Sequence, residues 1–226
     1  MSRLFPALLA VLFAGCGLID LDVTAFDLRL PEKAFTVDTA AWQVQGMGTI
    51  PAVPCPPADC AASTAELCAG AACSVACGAA GTCEATVSMS MRHMFDLAQE
   101  SAELSVVDDK PLIEVTVETI AFKVTENTLN VATPELTVYL APIDVTDASD
   151  ERAEPVGLIP SVQGGEVGTF TVGFTATGRD VLELYMGNFR TAFNVIVGGK
   201  TTIAAGTPVP MGKLVGAVTV QAHVAP

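Results

Sequence analysis

The sequence predicts an all-β fold, an antiparallel β-sandwich of immunoglobulin-like or jelly-roll-like type. It carries a Cys-rich, disulfide-stapled insertion at about 46–83 and at most one or two short helices. Three observations predict it. Apolar and polar residues alternate with a period of two through most of the chain after Glu84, short runs of this kind are separated by Gly, Pro and Asn, and no regular succession of strands and helices is present. Roughly six to nine short strands result, the number a sandwich or barrel uses.

The elements follow in order. From Gly17 to Trp42 one or two strands are broken at Pro31-Glu32-Lys33. Residues 46–81 are dense in Ala, Gly, Pro and Cys and hold no sustained alternation. In the next strand Ala85, Val87, Met89 and Met91 share one face, while Glu84, Thr86, Ser88, Ser90 and Arg92 share the other. A further strand sets Ile113, Val115 and Val117 in one phase and Ile120, Phe122 and Val124 in the opposite one. An inserted residue, a bulge, accounts for the slip. A turn at Glu126-Asn127-Thr128 leads to Leu136, Val138 and Leu140, ending at Pro142, and the acidic stretch Asp144 to Glu154 reads as a loop. Beyond the turn glycines Gly164-Gly165, Val167, Phe170, Val172, Phe174 and Ala176 form a strand. Asp180 would cap a short helix with Val181, Leu184 and Tyr185 on one face. Phe193, Val195 and Val197 run to an expected turn at Gly198-Gly199, and a last strand covers Leu214 to Val224. Between Val115 and Leu140, an extended strand before an Asn-containing turn resembles the late-embryogenesis-abundant type 2 β-sandwich.

Eleven Lys and Arg stand against 25 Asp and Glu, a net charge of −14. Such a chain repels phosphate backbones and anionic headgroups, so nucleic acid is not a partner and electrostatics will not hold the body on a bilayer. Membrane attachment must come from the N-terminus. There Arg3 precedes the apolar run Leu4 to Phe13, too short to span a bilayer, which needs about 20 apolar residues. Leu12-Phe13-Ala14-Gly15-Cys16 resembles the bacterial lipobox, with Phe13 where Leu is usual. The resemblance implies a signal peptide at 1–15, diacylation of Cys16 as the mature N-terminus, and one domain over 16–226. Gly17, in place of Asp, implies the outer membrane by the same resemblance. Strand-like sequence begins at Leu21, so the body is expected close to the membrane face.

Cysteine arithmetic supports the anchor. Cys55, Cys60, Cys68, Cys73, Cys77 and Cys83 form an even cluster, and Cys16 is the seventh. The spacing C-x4-C-x7-C-x4-C-x3-C-x5-C lacks the short knuckles of structural zinc sites, so three disulfides and no metal are expected in an oxidising compartment. Six cysteines allow fifteen pairings and sequence does not choose among them. Cys73 and Cys77, four apart, would share a helical face and are then poorly placed to bond each other. The stapled segment reads either as a recognition loop or as an insertion that resists proteolysis. The second is favoured, because the loop lacks the aromatic and Arg anchors of binding surfaces.

Catalytic chemistry finds little purchase. His93, which would interrupt a strand, and His223 are the two histidines, and no nucleophile elbow, phosphate loop or metalloprotease helix occurs. Asp144, Asp147, Asp150 and Glu151 gather oxygen ligands without EF-hand spacing, and Asp108-Asp109 reads as a turn. One Trp (Trp42) and two Tyr (Tyr139, Tyr185) make a poor sugar platform. The expected function is a non-enzymatic structural or interaction module of the envelope, without a cofactor and with an envelope protein as partner. A carrier or chaperone for an apolar ligand, suggested by Met89, Met91 and Met94, is the second reading; a calcium- or carboxylate-dependent enzyme is the third.

Overall fold

The computed structural model describes residues 25–42, 44, 48–55, 60, 68, 72–102, 104 and 113–225. Within them the chain forms two antiparallel sheets whose inner faces share one buried apolar cluster. The first sheet contains β1 (Phe26–Arg29) and β2 (Ala34–Asp38), both paired with β11 (Lys213–Ala225), then β5 (Glu114–Asn127) and β8 (Gly168–Thr171). The second runs β3 (Cys73–Cys77), β4 (Cys83–Phe95), β10 (Phe193–Ile203), β6 (Leu136–Pro142), β7 (Glu154–Ile159) and β9 (Gly173–Phe174). A 3-10 turn covers Thr39–Trp42, and two helices, α1 (Leu97–Glu100) and α2 (Gly178–Gly187), complete the described elements. The antiparallel sandwich with few helices is therefore present as expected.

The alternation in β4 is real: Ala85, Val87 and Met89 are buried, while Ser88, Ser90 and Arg92 are exposed. The phase slip in β5 is a bulge. Val117 pairs with Ala222 and Thr119 with Gln221, which leaves Glu118 unpaired between them and turns Ile120, Phe122 and Val124 back to the core. A second bulge, at Thr125, was not anticipated.

Several expectations need correction. The Gly198-Gly199 turn does not exist, and β10 runs straight through it to Ile203. These glycines allow close packing instead, since a Cβ on Gly198 would lie 2.7 Å from the Ala148 Cβ and one on Gly199 2.7 Å from Leu136 Cδ2. Helix α2 starts after Thr177, not at Asp180, and buries Leu182 and Met186 while Leu184 is 71% exposed. Val181 and Tyr185 do pack against the core. The run from Val167 to Ala176 is not one strand. It changes sheets at Val172, whose N–H donates to the Ile120 carbonyl, so β8 belongs to one sheet and β9 to the other. That crossing closes one side of the sandwich. The acidic loop is shorter than expected, because Glu154 already begins β7.

Where β8 no longer covers β5, α2 does. Glu183 Oε1 accepts from the Val117 N–H at 2.9 Å, and the Arg179 guanidinium donates to the Val117 carbonyl. One helical i, i+4 pair thus satisfies the main chain of a strand edge. On the outer face of the second sheet, the 143–153 loop folds over Ile196 and Ala141 and buries Val145 and Ala153 with them. Asn194 pins this loop, with Nδ2 donating to the carbonyls of Ile143 (3.0 Å) and Val145 (2.7 Å).

Candidate functional site

Cys16 and the signal-like segment lie outside the described residues, as do Asp108 and Asp109. The six clustered cysteines pair as Cys55–Cys77, Cys60–Cys83 and Cys68–Cys73. Cys73 and Cys77 do not bond each other, but the helical face expected of them is replaced by strand β3, which pairs with Cys83–Val87 of β4. The insertion is therefore grafted onto the second sheet as its edge strand. The sulfurs of Cys55, Cys60 and Cys77 lie within 4.8 Å of one another, a spacing that would suit a metal if they were thiolates. Their two adjacent bridges account for the proximity.

The most distinctive surface is a cleft beside β4. Its pairing with β10 is continuous from Ala85 to Phe95. On the opposite side β3 stops at Val87, and Ser88 N–H donates to the Ala72 carbonyl at 2.8 Å. By strict alternation Ser88, Ser90, Arg92 and Met94 present their main-chain groups to that side. At the far end Lys33 Nζ reaches the Met94 carbonyl and forms a 2.7 Å ion pair with Glu100, while His93 Nε2 donates to the Ala34 carbonyl at 2.8 Å. Phe35 meets the His93 ring edge-on at 5.0 Å. These contacts fasten β2 to β4 at one end. His93 thus continues the strand it was expected to interrupt, and its ring nitrogen serves as a clasp between the sheets.

Between the two fastenings, the outward N–H and C=O groups of Ser90 and Arg92 have no hydrogen-bond partner among the described residues. The strands diverge here into a cleft of about 820 Å3, with Thr36, Val37 and Asp38 on one wall and Ser88 to Met91 on the other. It extends over the outer face to Tyr139 and Lys200. The carboxylates of Asp38, Glu135 and Asp147 line it against a single cation, Lys200. Asp147 stays charged well into acid, because hydrogen bonds from Ser149 hold its carboxyl below the usual range.

The other residues singled out in the sequence do not assemble into one site. Asp144 and Asp150 grip the Arg152 guanidinium, Asp144 Oδ2 at 2.7 Å and Asp150 Oδ2 at 3.1 Å, and both carboxyls are lowered mainly by that contact. The loop's own arginine thus takes the cation position that a calcium ion would need. His223 faces Asp27 at 3.2 Å on the exposed side of the first sheet. Met89 and Met91 point inward, whereas Met94 is on the other face and half exposed, so the three methionines do not line one groove. Tyr185 packs edge-on against Phe193, and burial, aided by Glu154, raises its hydroxyl's pKa.

The cleft itself was not anticipated from sequence. Its components are ordinary serines and aspartates in distant segments, and the one signal available was that the alternating run 84–95 is longer than the strand preceding it. No protein-family model matches this chain, and comparison with curated proteins finds no match.

Proposed function

We propose that the chain is an exported, lipid-anchored protein of the bacterial envelope, held at the outer membrane through acylated Cys16 and acting as a non-enzymatic interaction module. The observation that carries this reading is the closed set of three bridges among the other six cysteines. Disulfides belong to an oxidising compartment, and there the odd thiol of Cys16 requires a fate, which the lipobox-like segment before it supplies. The buried side chains between the sheets form one contiguous apolar cluster, and the cleft beside β4 has charged and hydroxyl groups in its walls. That lining suits a polar polymer better than a lipid tail.

Intact-mass measurement on protein extracted from membranes tests the proposal. The expected species begins at Cys16, carries acyl chains and is lighter by about two mass units per bridge. A mature chain with free Cys16, or one that retains residues 1–15, refutes the anchor.

A further inference from the structure

Building on the reading as an interaction module, we infer that the β4 edge between Ser88 and Met94 receives an extended, basic polypeptide segment of a partner, which adds to the second sheet as a strand. Sheet edges are ordinarily covered, charged or broken. In this fold α2 covers β5 with Glu183 and Arg179, and Lys33 and His93 fasten the upper end of β4. Among the described residues, the stretch left open is bounded at both ends, by the Ala72 bond to Ser88 and the Lys33 bond to Met94. At about 3.4 Å per residue it offers roughly 17–20 Å of ladder, the length of an ordinary short strand. The four groups of Ser90 and Arg92 supply main-chain hydrogen bonds, the source of affinity when a peptide joins a sheet edge.

The adjacent cleft fixes the partner's chemistry. A strand seated on β4 sends alternate side chains toward opposite faces, so one set enters the space bounded by Asp38, Glu135 and Asp147. Three carboxylates outnumber the two cations beside them, Lys200 in the cleft and the exposed Arg92 of the edge itself, and on a chain of net charge −14 they select lysine or arginine at the positions that face the cleft. Ser88 presents a short side chain on the β4 wall, and Ser90 Oγ accepts from the Ala148 N–H at 3.1 Å, which holds the neighbouring Asp147 beside the edge.

The test uses the full-length chain in detergent and a synthetic capped hexapeptide of alternating lysine and valine. Trp42 is the single tryptophan and lines the cleft, so its fluorescence reports occupancy directly. The expected result is a saturable change below about 1 mM peptide, with slowed amide exchange at Ser90 and Arg92. The same peptide with methylated main-chain nitrogens keeps its charge but loses its donors, and should bind about tenfold more weakly or worse. A glutamate-for-lysine twin should not bind. Arg92→Pro removes an edge N–H from an exposed position and should weaken binding similarly; if that variant fails to fold, the methylated peptide decides. No saturable change, or binding of the methylated or acidic peptide within twofold of the parent, overturns the inference. Either failure leaves the acyl anchor on Cys16 standing, and an unacylated Cys16 leaves the edge result standing.

Discussion

Replacing Asn194 with Asp exchanges one heavy atom, Nδ2 for an oxygen, in a site that is closed to solvent, and its effect can be worked out group by group. Asn194 is 0% exposed, donates to the carbonyls of Ile143 and Val145, and leaves Oδ1 with no partner among the described residues. Asn194→Leu removes both donors and strands two carbonyls, at about 1–3 kcal/mol for the buried one and less for the half-buried one. It also removes the orphaned oxygen, which returns a similar amount, so a net loss of about 1–2 kcal/mol is expected. Asn194→Asp removes the same donors, keeps the orphan and sets a carboxylate against two carbonyl oxygens. Stranding a buried charge costs about 3–5 kcal/mol. The penalty depends on pH with a definite sign. Burial raises the introduced carboxyl's folded pKa above its unfolded value near 3.9, so between the two values the folded state binds the extra proton. The charge-dependent part of the penalty is therefore absent at low pH and grows as pH rises, by at most about 1.4 kcal/mol per unit, until the folded pKa is passed. Urea unfolding of the three proteins from pH 4 to 8 measures this. If the Asp variant lies within about 1 kcal/mol of the Leu variant at pH 7, or if its deficit is flat with pH, the account of Asn194 as the loop's buried donor is wrong.

Three further outcomes are expected. In Gly178→Ala the new Cβ would fall 2.0 Å from the Val156 carbonyl oxygen, a backbone atom. The variant should lose about 1–3 kcal/mol in a thermal melt, although helix propensity alone predicts a gain. Glu183→Ala orphans the Val117 N–H and should cost about 1–2 kcal/mol, with faster exchange at that amide, while Glu183→Gln keeps an acceptor and loses less. Removing Cys60–Cys83, with a sequence separation of 23, should destabilise by about 3 kcal/mol in urea, and removing Cys68–Cys73, with a separation of 5, by about 2 kcal/mol. The reverse order would count against an unfolded-state origin.

What could be read from the sequence was local, and what could not be read was a matter of neighbours. The β5 bulge was legible because Val117 and Ile120 fall three apart in a period-2 pattern, and one extra residue is the simplest repair. The break between β1 and β2 was legible from Pro31. Helix α2 was placed but rotated, since Leu184 competes with Leu182 on apolarity and only the position of β5 decides between them. β7 was not assigned from the sequence, and it contains Pro155 and Gly157, residue types that strand interiors disfavour. In the sheet Pro155 sits at a register shift opposite Tyr139, and Gly157 makes room for Val172. The cleft depends on which strand stops where along β4. Nothing within residues 83–95 encodes that, because β3 ends through its own disulfides and β2 arrives from the other sheet.

The order of the bridges has a consequence for a chain exposed to hydrolytic enzymes. Cys55–Cys77 and Cys60–Cys83 interleave, so every peptide bond from Cys55 to Cys83 is spanned by at least one of them, and every bond from Cys60 to Cys77 by both. A single cut between Cys60 and Cys77 therefore releases no fragment, and two covalent links still hold the new ends to the body. The nicked molecule would run as one species on a non-reducing gel and as two after reduction.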